Sequence, residues 1–131
     1  MGEIINYRDL PETEKDMCLN ELMATSFSPA YGSVESVKME MEKSEEGSLP
    51  QYVFVRKNGK VIGYMFLIAE KEKTSREFPW WAVDNSDELP LDIAVPLLQY
   101  GVELCMGAGC LKLAERLQHQ IENYRNGIGH R

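Results

Sequence analysis

The sequence has no long hydrophobic run. Its most apolar stretch, Val61 to Ala69, is interrupted by Gly63 and falls far short of the ~20 residues that a bilayer-spanning helix needs. It also lacks a cluster of Lys and Arg. Against 21 acidic residues stand 14 basic ones, a net charge of −7 with no local basic patch to grip a nucleic-acid backbone. The three cysteines, Cys18, Cys105 and Cys110, are too few and odd in number for a disulfide framework, so reduced thiols are expected. A metal site could only combine Cys105 and Cys110 with His119 and His130; that spacing fits no compact zinc module, and no metal is expected. Neither a Ser-His-Asp order nor a nucleotide-binding glycine pattern occurs. The first residues, MGEIINYRDL, lack the basic start and apolar core of a secretory signal, which makes the cytoplasm the expected compartment. Asn6 stands where a myristoylation pattern requires Ser or Thr.

What is present reads as one domain. A chain of 131 residues, 44% hydrophobic and 27% charged, has the composition of an ordinary globular protein and the length of a single core. Ile4 to Tyr7 reads as a short first strand ended by Leu10-Pro11. From Pro11 the pattern turns helical: Thr13 with Asp16 resembles an N-terminal cap, and Cys18, Leu19, Leu22, Met23 and Phe27 share one broad face. The segment Ser28 to Gly32 stops that helix. Ser33 is a fitting N-cap for a second one, with Val34, Val37 and Met41 turned inward and Glu35, Lys38, Glu42 and Lys43 turned to water.

The clearest local signal is a hairpin. Tyr52 to Arg56 and Val61 to Ile68 are rich in β-branched and aromatic residues, and Asn58-Gly59 between them suits a tight turn. A polar connection, Lys71 to Phe78, leads to the two tryptophans.

The stretch from Pro79 to Leu113 reads as a β-loop-α-β unit: a strand over Trp80 to Val83, an acidic loop over Asp84 to Asp92, a helix over Ile93 to Met106, a glycine stop at Gly107 to Gly109, and a strand over Cys110 to Leu113. A helix-containing connection of that length predicts a parallel crossover. The tail admits two readings. Leu113, Leu117, Ile121, Tyr124 and Ile128 recur at helical spacing and would make one helix; otherwise a strand is followed by a shorter helix.

Ala82-Val83-Asp84, Leu97 to Leu104, Gly109 to Leu113 and the hairpin arm NGKVIGYMFL together resemble the cofactor-binding core of the GNAT superfamily of acyl-CoA-dependent N-acetyltransferases. The resemblance implies an α/β (α+β) fold with a mixed sheet, in the order β-α-α-β-β-β-α-β-α, cut short at the C-terminus. It implies acetyl transfer to an amine acceptor, with acetyl-CoA or CoA as cofactor. Backbone amides of Trp81, Ala82, Val83 and Asp84 would receive the pantetheine arm, and Leu91 and Asp92 would lie by the pyrophosphate. Tyr124 would be the general acid, and Glu35 a candidate base on the acceptor wall with Phe27 and Tyr31. Asp84 and Glu88 are further candidate bases by position, and His119, beside Gln118 and Gln120 on a helix face expected to be wet, is another. In the family a Gln/Arg-x-x-Gly-x-Gly/Ala turn cradles the pyrophosphate. Here Ser86 to Asp92 (SDELPLD) replaces it, with no glycine between Asp84 and Tyr100. A second reading of the same resemblance is therefore a non-catalytic GNAT-like domain that binds a small ligand or a protein partner through a groove under Trp81. The tryptophans would otherwise simply fill the core on the two sheet faces, and Tyr124 would pack with its helical neighbours. A homodimer fits either reading, because a short C-terminus would leave a sheet edge exposed.

Overall fold

A computed structural model describes residues 2–25, 33–44, 46–69 and 80–128, with the side chains of Ala69, Trp80 and Trp81 excepted. Phe27, Tyr31, the stop at Ser28 to Gly32, the connection Lys71 to Phe78, His130 and the groove expected under Trp81 lie outside the described residues.

The elements are β1 (Glu3–Asn6), α1 (Glu12–Met23), α2 (Val34–Met41), β2 (Gln51–Lys57), β3 (Lys60–Ala69), β4 (Trp80–Asp84), α3 (Leu91–Gly107) and α4 (Leu111–Arg125), with short 3-10 turns at Tyr7–Asp9 and Ser86–Glu88. The four strands form one sheet in the order β1-β2-β3-β4, and every neighbouring pair is antiparallel. The hairpin forms as its turn residues dictate. Asn58 and Gly59 both adopt positive φ, at 54° and 76°, the conformation that matches a two-residue turn to the twist of its strands.

Alternation along the strands sorts the core into two layers. Val53, Val55, Met65 and Leu67 face α3 and α4, whereas Tyr52, Phe54, Tyr64 and Phe66 face α1 and α2. Helices thus cover both faces of the antiparallel sheet. Gly101 lets α3 come close: a Cβ there would lie 2.5 Å from Met65 Cε and 3.1 Å from Leu117 Cδ1.

On the other face, α2 starts as its sequence predicts, with Ser33 Oγ accepting from the Ser36 N–H at 3.2 Å. The start of α1 differs. Its N-cap is Pro11, without a side-chain cap, and Asp16 instead accepts from Lys38 Nζ at 2.8 Å across to α2. An acidic first turn, Glu12 and Glu14, supplies the favourable charge at that helix end.

The strand expected over Cys110 to Leu113 does not form, and with it goes the parallel crossover. The chain turns from α3 directly into α4. Gly109, at φ +76°, closes α3 while the Cys110 N–H bonds to Cys105 O at 2.8 Å and the Gly109 N–H to Met106 O at 3.1 Å, a Schellman stop. The observed order is therefore β-α-α-β-β-β-α-α. Helical spacing explains the outcome: Leu113, Leu117, Ile121 and Tyr124 are all buried while Leu111 is 64% exposed. A three-residue apolar fragment cannot outweigh a periodicity that extends over the next three turns.

Candidate functional site

At the end of β4 the chain makes a side-chain-supported corner. Among the described residues β4 pairs only with the second half of β3, from Met65 to Ala69. Beyond Asp84 the Asn85 N–H still donates to Tyr64 O at 3.4 Å, and its side chain extends the ladder. Asn85 Oδ1 accepts from the Tyr64 N–H at 2.9 Å and Asn85 Nδ2 donates to Ile62 O at 3.1 Å. Asn85 thereby satisfies backbone groups that would otherwise need another strand residue.

The next residue joins this corner to α4. Asp84 Oδ1 accepts from the Ser86 N–H at 3.0 Å and from Ser86 Oγ at 2.5 Å. Ser86 Oγ lies 2.9 Å from the Tyr124 hydroxyl. The single hydroxyl hydrogen of Ser86 goes to Asp84, which leaves Tyr124 as donor to Ser86. Gln120 Nε2 donates to both, at 3.1 Å to Ser86 Oγ and 2.9 Å to the Tyr124 oxygen. Spaced by four, Gln120 and Tyr124 share one face of α4, and the network is nearly dry: Ser86 is fully buried and Tyr124 is 5% exposed. The result is a directed chain of hydrogen bonds, Tyr124 to Ser86 to Asp84, ending on a half-buried carboxylate.

Beside Tyr124 a groove of about 350 Å³ opens, lined by Arg116, His119, Gln120, Asn123, Tyr124 and Ile128. The end of α4 shapes it. Gly127, at φ +79°, closes the helix, and the Ile128 N–H bonds back to Asn123 O at 2.7 Å.

The expected site residues divide between two faces. Tyr124 and Asp84 meet through Ser86. Ala82, opposite Leu67, is half-buried on the α3 and α4 side with them. Val83, opposite Phe66, alternates to the other side and is 40% exposed. Leu91, 43% exposed, and Asp92 stand in the first turn of α3, with Asp92 in water. Glu35 is exposed on α2, in the layer that covers the opposite sheet face from α4. The sheet lies between it and Tyr124. Trp81 contributes its backbone to β4.

The residues present do not fit the pyrophosphate of acetyl-CoA. Such a group needs several N–H donors converging at a helix N-terminus. In this loop the Ser86 N–H is held by Asp84 at 3.0 Å, the Glu88 N–H by Asn85 O at 2.9 Å and the Leu89 N–H by Ser86 O at 3.1 Å. Pro90 has no N–H. Asp87 and Glu88 stand in the turn Ser86–Glu88 and Asp92 in the first turn of α3, and carboxylates near a helix start disfavour an anion.

Two of the three thiols are placed in the core, and Cys110 is half-buried. Cys18 and Cys105 are buried. Burial pushes the Cys105 thiol up to about 12, with Cys110 adding to the effect, and burial also raises Cys18 despite the Arg56 guanidinium donating to its sulfur at 3.1 Å. Among the described residues no three His, Cys, Asp or Glu side chains converge on a possible metal position, and no helix is long and apolar enough to cross a membrane.

Sequence reasoning singled out Tyr124 and Asp84 but passed over Ser86, Asn85 and Gln120. Helical spacing of Gln120 and Tyr124 was the available signal for one of these, since both lie on one face of α4. No protein-family model, curated protein or solved structure matches the chain.

Proposed function

We propose that this chain is a non-catalytic, GNAT-like binding domain whose small-ligand site lies at the β4–α4 corner. The observation that carries the reading is the internal engagement of the loop amides: Ser86, Glu88 and Leu89 spend their N–H groups within the corner at 2.9–3.1 Å, where an acyl-CoA enzyme would point amides at phosphate. The resemblance itself draws support from element order. The run β1-α1-α2-β2-β3-β4-α3 is the one the resemblance implies, up to the position where α4 takes the place of the expected strand.

The other reading, acetyl transfer from acetyl-CoA to an amine, draws support from one contact. Tyr124, the acid implied by the resemblance, is joined to Asp84 through Ser86, so a phenol and a carboxylate do meet at the end of β4. A turnover assay separates the two. The protein is incubated with acetyl-CoA and a panel of primary amines and amino-terminal peptides, and free CoA thiol is followed. The binding-domain reading expects release no faster than in buffer; acceptor-dependent release that disappears in Tyr124→Phe would replace it with the enzyme. Self-association through the outer edge of β4 accompanies the proposal, and light scattering at micromolar and millimolar protein tests it.

A further inference from the structure

The groove along α4 differs in charge from the chain as a whole, whose net charge is −7. In a chain with 21 acidic residues, none of its six lining residues is a carboxylate. Arg116, His119 and Asn123 carry N–H donors, whereas those of Gln120 and Tyr124 are engaged with Ser86 and with each other. Their spacing places them on one face of α4. Arg116 is exposed and makes no ion pair with a described residue. The floor is fixed before any ligand arrives, because Ser86 holds Gln120 and Tyr124 at 3.1 and 2.9 Å. A floor that is already fixed loses little freedom on binding.

We infer that this groove binds a small amphiphilic anion, a carboxylate or phosphate head on a short apolar body. The inference rests on the binding-domain reading and names its ligand class. Orientation follows from the helix. The last carbonyls of α4 carry partial negative charge and repel an anion at the Ile128 end, so the head sits at Arg116 and His119. There a guanidinium can give two parallel hydrogen bonds to a carboxylate or phosphate. The apolar body then covers Ile128, which is 58% exposed. A groove of about 350 Å³ suits a molecule of that size.

The test is an amide-resolved NMR titration of the full chain with inorganic phosphate, with hexanoate, and with hexylamine as the cationic control. Saturable shifts confined to residues 116–128 with phosphate, hexanoate or both support the inference, and the responding probe tells which head group is preferred. The variant Arg116→Gln, at an exposed position, keeps the thermal midpoint and weakens that binding by about tenfold or more, the loss expected for a charge-assisted bidentate contact. No saturable shift by about 50 mM, a range in which even the weakest specific contacts are visible, would overturn it. So would equal binding of hexylamine or unchanged affinity in Arg116→Gln. Failure of the binding-domain reading is distinguishable: acetyl-CoA would then shift the amides of Val83, Leu91 and Asp92 instead.

Discussion

The link between Ser86 and Tyr124 can be measured as a coupling energy. Tyr124→Phe removes the hydroxyl that donates to Ser86 Oγ at 2.9 Å and accepts from Gln120 Nε2 at 2.9 Å. Ser86 and Gln120 stay in contact at 3.1 Å, so neither loses its last partner. The expected cost is that of a net hydrogen bond or so, about 1 kcal/mol. Ser86→Ala removes the bond to Asp84 and the bonds from Tyr124 and Gln120 at a fully buried position, and about 2 kcal/mol is expected. The two variants share one bond, so the double variant loses only about 2 kcal/mol, a coupling of about 1 kcal/mol. Urea unfolding reads these values. With a slope of about 1.5 kcal/mol/M, the Ser86→Ala midpoint falls by roughly 1.3 M. Additivity of the two variants to within about 0.3 kcal/mol would refute the shared bond.

Three further outcomes follow from the packing. Asn85→Ala strips two bonds from a residue that closes the β3 ladder, at 2.9 and 3.1 Å, and should lower stability by about 2–4 kcal/mol in the same urea assay; a loss below about 0.5 kcal/mol would mean that the ladder does not depend on it. Gly101→Val drives a branched side chain against Met65, whose Cε would lie 2.5 Å from the new Cβ, and costs about 1–3 kcal/mol, more than Gly101→Ala; equal costs would contradict the close approach of α3. For Cys105 the sign is set by a thiol whose value is raised from 9.0 to about 12. The folded chain keeps a proton that the unfolded chain loses, so this contribution is intact below pH about 9 and disappears as pH rises toward about 12, by at most about 1.4 kcal/mol per pH unit. Cys105→Ala should flatten the fall in urea midpoint between pH about 9 and about 10.5, and an unchanged slope would exclude Cys105 as its source.

Local chemistry made parts of this fold legible in the sequence. Asn58-Gly59 carries its own turn conformation, Ser33 its own cap, and the unbroken apolar run Tyr52 to Val55 matches a central strand buried on both faces. Cys110 to Leu113 was not legible, because so short a run satisfies a strand and a helix equally and only the later residues decide. Thr13 was misread as a cap, since it lies inside the first turn of α1 and Asp16 reaches across to Lys38 of α2. The candidate site was half legible. Tyr124 and Asp84 stood out by resemblance, yet what joins them is Ser86, 38 residues from Tyr124 in sequence, and no local pattern reports a contact made by tertiary packing. Glu35 stands on α2, over the opposite face of the sheet from Tyr124, and sequence order does not tell which face a helix covers.

The most direct test of the account is calorimetric titration of the protein with acetyl-CoA and with CoA, beside a thermal-shift measurement. With Ser86, Glu88 and Leu89 amides engaged internally and carboxylates at the start of α3, neither heat nor a rise in midpoint is expected up to millimolar cofactor. Micromolar binding of either molecule would contradict the binding-domain reading and establish an acyl-CoA site that this corner does not lead one to expect.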